Sequence, residues 1–340
     1  MNPTHVSTDP APSGAGFFVH PPTGGVPSPA THPKHLLGLE HLSAETILEI
    51  LDDAERDRAR LERDRRPTGE LAGVTVVHAF FEDSTRTRTA FELAAHRLGA
   101  TVASFGSSGL SLSKGETLLD TLLIFAANGT DIVVVRHASA GIPEFLAREL
   151  ELAIVNAGDG AHEHPTQGLL DLMTLRQVWD GRFAGRRFAI VGDVAHSRVA
   201  RSAMFGLVKL GVAVTVTGPP TLLPQGLEAF GVTVAPNVED AITGADGVMT
   251  LRLQRERMDK GLLPSLGEYA REWGLDAERV NRLAPGGVVL HPGPVNRGVE
   301  LTPEVADGPR SVILRQVRNG MGVRTAVLRR SALALRGAIA

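Results

Sequence analysis

Ser84, Thr85 and Thr87 place three hydroxyls around Arg86 in the stretch Phe80-Phe81-Glu82-Asp83-Ser84-Thr85-Arg86-Thr87-Arg88-Thr89. An apolar run precedes this stretch and an amphipathic one follows, so the hydroxyls fall where a strand turns into a helix. Backbone N–H groups at a helix start have no intrahelical partner, and the macrodipole makes that end electropositive. With a guanidinium able to bind in two-pronged fashion, the stretch is suited to hold a phosphate. The bland reading makes Ser84 or Thr85 an N-cap and leaves the arginines solvated. A Walker loop is excluded, because its glycine run and closing Lys-Ser/Thr are missing.

Other groups could complete such a site. Lys114 lies in Ser111-Leu112-Ser113-Lys114-Gly115-Glu116-Thr117, a polar loop beside glycine from which a mobile positive charge can swing. Arg136 ends an apolar run, and His164-Pro165-Thr166-Gln167 opens a helix. Ligands of open α/β sheets bind beyond the carboxyl ends of strands, where an imidazole, an amide and a guanidinium can stabilise charge on a carbonyl oxygen. His162-Glu163-His164 invites a metal reading, but the sequence places no further His or carboxylate to finish the set. Arg198, Arg252 and Gln254 follow two later strands, and Gly293 and Pro294 lie in a loop after a third, His291-Pro292-Gly293-Pro294-Val295-Asn296-Arg297. Two strand-end arginines suit a ligand with two carboxylates. Structural salt bridges are the alternative for each arginine taken singly.

These residues need a scaffold. A helix is expected over 43–65, strands over 71–81, 101–105, 131–136 and 152–156, and helices over 87–98, 116–128 and 168–179. A second alternating series has strands at 187–191, 213–217, 247–251 and 288–291, with a long final helix over 312–335 whose partner is not evident from pattern. The expected fold is α/β: two domains, each a mainly parallel sheet flanked by helices, with a cleft between them. The length of 340 residues suits two cores rather than one. Residues 1–35 are rich in Pro, Gly, Ser and Thr, interrupted only by Phe17-Phe18-Val19, and are expected to be a disordered tail. They have neither the basic start nor the apolar stretch of a signal peptide. A net charge of −3 argues against a general nucleic-acid binder, and no run is apolar enough to span a bilayer. Cysteine is absent, which removes disulfides and thiolate chemistry and fits a reducing compartment.

Taken together, Phe81–Arg88, Ser113–Thr121, His164–Leu172, Gly192–Ser202, Leu251–Arg257 and His291–Leu301 resemble the catalytic chains of aspartate carbamoyltransferases, of the aspartate/ornithine carbamoyltransferase superfamily. The resemblance runs from about His35 to the last helix. It implies a carbamoyl-phosphate domain at 36–178, completed by the C-terminal helix within 312–340, and an aspartate domain at 179–311. By the same resemblance Ser84, Thr85, Arg86 and Thr87 hold the phosphate. Arg136, His164 and Gln167 orient the carbamoyl group, and the carbonyls of Gly293 and Pro294 receive its NH2. Lys114, Arg198, Arg252 and Gln254 bind aspartate. The family works as a cytoplasmic homotrimer with shared sites, Lys114 coming from the neighbouring chain, without metal or organic cofactor. Larger assemblies with regulatory or dihydroorotase-like chains are compatible with it. One departure is Leu110, where the family often has serine; Ser111 stands next to it. Ornithine carbamoyltransferase, whose second-domain signature contains a cysteine, and a catalytically silent relative are the rival readings.

Overall fold

The computed structural model describes residues 34–106, 117–254 and 265–339. The tail expected to be disordered, up to residue 33, and the loop residues Leu110, Ser111 and Lys114 lie outside the described residues. Lys34 and His35 are already fixed: Lys34 Nζ donates to the Glu151 carbonyl (2.9 Å), and His35 Nδ1 accepts from Ile154 N (3.1 Å).

The first half alternates as expected. Helix α1 (Ala44–Arg63) starts where the Ser43 hydroxyl accepts from Thr46 N, and it buries Ile47, Ile50, Leu51 and Ala54. Then follow β1 (Thr75–Phe80), α2 (Thr85–Leu98), β2 (Thr101–Gly106), α3 (Leu118–Ala127), β3 (Ile132–His137), α4 (Ile142–Glu149), β4 (Ala153–Asp159) and α5 (Pro165–Val178). The four strands are parallel in the order β2-β1-β3-β4. Val76, Phe80, Val134 and Val155 pack on the side of α1, α2 and α5, while Val77, Ala79, Val133 and Ile154 pack with Leu122 of α3 and Leu146 of α4. Cover on both faces is why β1, β3 and β4 read as continuous apolar runs.

The second half comprises β5 (Arg187–Val191), α6 (Arg198–Lys209), β6 (Ala213–Thr217), β7 (Thr233–Val234), α7 (Val238–Ile242), β8 (Gly247–Thr250), α8 (Leu266–Trp273), α9 (Ala277–Val280), β9 (Val288–Leu290) and α10 (Pro303–Ala306). Its five strands are also parallel, ordered β7-β6-β5-β8-β9. The final helix, α11 (Ile313–Ile339), returns to the first half and lies against α1, α2 and α5. Arg329 and Arg330 of α11 pair with Asp57 (2.7 Å) and Asp53 (2.6 Å) of α1. Among the described residues no helix is long and apolar enough to cross a membrane.

Several boundaries differ from expectation. Residues 71–74 form a turn, closed by Val74 N donating to the Leu71 carbonyl, so β1 starts four residues late. Helix α2 starts two residues early, and α5 starts at Pro165, which puts Gln167 in a first helical turn. Helix α4 and strand β7, eight and two residues long, are too short to announce themselves by periodicity. The two halves meet where α5 crosses α6 at glycine: a Cβ on Gly206 would lie 2.7 Å from Leu172 Cδ1, and one on Gly168 would lie 3.0 Å from Ser202 Cβ. Close helix contact here fixes the loop that opens α5 against the loop that opens α6.

Candidate active site

Loops at the carboxyl ends of both sheets converge on one cavity of about 360 Å³. It receives Glu82 to Thr87 from the β1–α2 connection, Arg136 from the end of β3, and His164 and Gln167 from the start of α5. The second half contributes Ser197, Arg198 and Val199 from the start of α6, Arg252 and Gln254 after β8, and Pro292, Gly293 and Pro294 after β9. The structure thus brings together every residue that the resemblance assigns to the substrates except Lys114, which lies outside the described residues. This is the strand-order switch position of each sheet, β1/β3 in one and β5/β8 in the other.

Ser84 decides between the two readings of its motif. It occupies the N-cap of α2, but its hydroxyl makes no capping bond, unlike Ser43, Thr117, Ser197 and Ser265 at their own helices. The first-turn N–H groups of α2 therefore stay available to an anion, in a cavity lined by four guanidinium groups. Burial and then the charge of Arg252 hold the pKa of Arg86 below its ordinary value. The Arg86 guanidinium also abuts the second-half loop, since a Cβ on Gly293 would come within 2.6 Å of its Nη1.

His164 lies deep in this electropositive setting, only 5% exposed. Burial first, then the charges of Arg136, Arg198 and Arg324, hold its pKa well below the ordinary imidazole value. The ring is therefore neutral at physiological pH and can donate one hydrogen bond without carrying charge. Its backbone N–H donates to Ser202 Oγ (2.9 Å), and that hydroxyl donates to Glu163 Oε2 (2.8 Å). Gln254 donates through Nε2 to the His196 carbonyl (3.1 Å), which fixes its amide beside the start of α6.

The pattern described as "Aspartate/ornithine carbamoyltransferase, carbamoyl-P binding domain" matches residues 34–177, and "Aspartate/ornithine carbamoyltransferase, Asp/Orn binding domain" matches residues 184–330. The chain belongs to the aspartate/ornithine carbamoyltransferase family. It is 52% identical to the aspartate carbamoyltransferase catalytic subunit of Myxococcus xanthus over 87% of this chain and 98% of the relative. The corresponding subunit of Pelotomaculum thermopropionicum is 51% identical, over 87% and 95%. Aspartate transcarbamoylase of Trypanosoma cruzi in complex with N-(phosphonacetyl)-L-aspartic acid superposes with a TM-score of 0.77 at 31% identity, over 87% of this chain and 94% of that one. Ornithine carbamoyltransferase of Thermus thermophilus gives 0.76 at 28%, over 88% and 99%. The fold alone does not separate the two activities.

This carbamoyltransferase chain holds two site residues that sequence reasoning missed. Glu82, quoted within its motif but given no role, joins the two halves. Its carboxylate accepts from Arg136 Nη2 (3.0 Å) and from Arg198 Nη1 (3.0 Å) and Nη2 (2.7 Å). Gly158, at φ 115°, lets both arginines pass the backbone: a Cβ there would lie 2.9 Å from Arg198 Nε and 3.1 Å from Arg136 Nη1. Glu82 was visible in sequence beside the arginines; Gly158 gave no signal.

More carboxylates gather at His162-Glu163-His164 than the sequence leads one to expect. Folding does bring Glu40, Glu144 and Asp159 around His162, which linear spacing cannot show. The oxygens of Asp159 and Glu163 are otherwise engaged. Asp159 accepts from Asn156 Nδ2, Glu163 N and Gly141 N and pairs with His162 Nδ1 (3.1 Å), and Glu163 accepts from Leu39 N, Glu40 N and Ser202. Burial alone would lower the pKa of His162, but Asp159 and Glu40 outweigh it and carry it up to about 10. A cationic imidazole cannot serve as a ligand.

Two outcomes are expected. Because folding depresses the pKa of His164, its contribution to stability is present above the unfolded value and is lost as pH falls below it. Between pH 7.5 and 5.5 the wild-type protein should therefore lose on the order of 1 kcal/mol more stability than His164→Gln, read from urea midpoints. Glu82→Ala should leave Arg136 and Arg198 mutually repelling across the junction and reduce kcat/KM roughly tenfold or more, measured by steady-state kinetics.

Proposed function

We propose that this chain transfers the carbamoyl group of carbamoyl phosphate to the amine of L-aspartate, giving N-carbamoyl-L-aspartate and phosphate in pyrimidine biosynthesis. The observation that carries it is the convergence of an uncapped helix start, four arginines and a neutral histidine on one cavity. Identity of about half to aspartate carbamoyltransferase catalytic subunits favours aspartate over ornithine as acceptor, as does the absence of cysteine.

In this reading the leaving phosphate sits on the α2 N-terminus against Ser84, Thr85, Arg86 and Thr87. The deprotonated amine forms a C–N bond at the carbamoyl carbon, and the negative charge moves to the carbonyl oxygen. Thr87, Arg136 and His164 stabilise that oxyanion. A neutral His164 fits the role of donor, since a hydrogen bond rather than a proton is needed at that oxygen. The C–O bond to phosphorus then breaks, and the departing phosphate accepts the amine's proton while Arg86 and Lys114 balance its charge. Gln167, Gly293 and Pro294 hold the carbamoyl NH2. Arg198 and Arg252 bind the aspartate carboxylates with Gln254 assisting. The Glu82 carboxylate holds Arg198 in the arrangement that a substrate carboxylate would take over. Positioning and exclusion of water supply most of the acceleration.

We assign residues 36–178 with 312–340 to carbamoyl phosphate and 179–311 to aspartate, in a cytoplasmic homotrimer with shared sites. Strand β2 is a sheet edge with half-exposed residues, and Leu123 and Ile124 of the adjacent α3 are 48% and 54% exposed. Such an apolar edge favours association with another chain. The segment bearing Lys114 joins β2 to α3, so it departs from this same rim.

Purified protein given carbamoyl phosphate should carbamoylate aspartate and not ornithine; the reverse preference, or neither activity, would refute the reading. Arg86→Ala and Lys114→Ala proteins should each be inactive and should regain activity when dissociated and remixed. No recovery in confirmed hybrids would place Lys114 in its own chain's site.

A further inference from the structure

A chain of hydrogen bonds behind the cavity ends on Asp171, a carboxyl that the mechanism above does not use. Asp171 lies on α5 one turn after Gln167 and is 2% exposed. Its Oδ1 accepts from Gln167 Nε2 (2.9 Å) and from Gln316 Nε2 of α11 (2.7 Å). Gln316, also 2% exposed, accepts through Oε1 from the backbone N–H of His291 (3.1 Å), in the loop that continues to Gly293 and Pro294. His291 Nδ1 in turn accepts from Gly293 N (2.8 Å).

The direction of every bond in this chain follows from one unambiguous donor. A backbone N–H can only donate, so Gln316 must turn its oxygen to His291 and its NH2 to Asp171. Asp171 Oδ1 therefore accepts from Gln316, and in the ionised carboxylate it has no proton to give to Gln167. Gln167 must then give its own NH2 to the same oxygen, which leaves Oε1 as the group it presents to the cavity it lines. Burial pushes the Asp171 carboxyl up to about 7, only partly offset by the two amides, and among the described residues Oδ2 has no hydrogen-bond partner. A carboxyl kept at that cost of desolvation calls for a reason beyond packing.

We infer that Asp171 is a positioning residue that sets the polarity of the carbamoyl pocket. It locks Gln167 with its oxygen toward the ligand, so the pocket accepts an NH2 rather than donating to it, and through Gln316 it ties that choice to the His291–Pro294 loop. The inference rests on the reading of the cavity as a carbamoyl phosphate site. It deepens that reading by naming what distinguishes a carbamoyl group from an isosteric acetyl group. Without Asp171 the Gln167 amide can flip, and the pocket loses an acceptor for NH2 but nothing that a methyl group would use.

The test uses the full-length protein in its native assembly and two probes, carbamoyl phosphate and acetyl phosphate. In Asp171→Ala the dissociation constant for carbamoyl phosphate should rise about tenfold, the loss of one buried hydrogen bond and its alignment. The inhibition constant of acetyl phosphate should stay within roughly twofold. Asp171→Asn, which keeps an oxygen facing both glutamines, should stay within about threefold of wild type for both probes. Equal weakening of both probes in Asp171→Ala, or no weakening of either, would overturn the inference. So would Asp171→Asn losing carbamoyl phosphate as badly as Asp171→Ala. Should Asp171→Ala fail to fold, Gln316→Met, which removes the donor from α11 while leaving Asp171 in place, must show the same selective loss in smaller degree. Wild-type protein that binds neither probe would refute the functional reading itself.

Discussion

Like charges repel when gathered in a small space, and Arg86, Arg136, Arg198 and Arg252 all line one cavity of about 360 Å³. The surrounding architecture depends on how that repulsion is contained. Glu82 stands between Arg136 and Arg198 and accepts from both, and the glycine at 158 allows the two guanidinium groups to pass the backbone side by side. The positive charge gathered there suits an anionic ligand. Burial first, and then this positive charge, keep His164 neutral beside arginines that would repel its charged form.

Holding such a site requires two rigid bodies in close register, because its cations come from both sheets. The crossing of α5 and α6 provides this. Glycines at 168 and 206 bring the helices together, and Ser202 of α6 accepts from the backbone of His164 while donating to Glu163. The same Glu163 accepts from Leu39 and Glu40 N–H groups ahead of α1. A few buried polar bonds thus fix the backbone that opens α5 against both α6 and the segment ahead of α1. Such bonds specify one arrangement because any slip leaves a buried polar group unpaired.

The return of α11 to the first half has a comparable role. It covers α1, α2 and α5, places Asp53 and Asp57 opposite Arg329 and Arg330, and carries Gln316 into contact with both Asp171 and the loop after β9. The last helix in the chain therefore touches the first half's core and the second half's ligand loop together. A fold whose terminus closes across two sheets couples their positions more tightly than a single linker between domains would.

By itself the sequence determined the α/β alternation, the family, and almost every residue facing the cavity. These are local matters: apolar runs record strands covered on both faces, and the cavity-lining motifs sit at strand ends, where open α/β sheets bind ligands. Tertiary structure alone decided that Ser84 does not cap its helix, that Glu82 bridges arginines 54 and 116 residues away, and that Gly158 gives them passage. It also decided that His162 belongs to an ion pair and that Asp171 orients Gln167 through a partner 145 residues distant. The physical reason is common to all of these. Each depends on where a polar atom finds its hydrogen-bond partner after burial, and linear spacing carries no record of partners supplied by other elements.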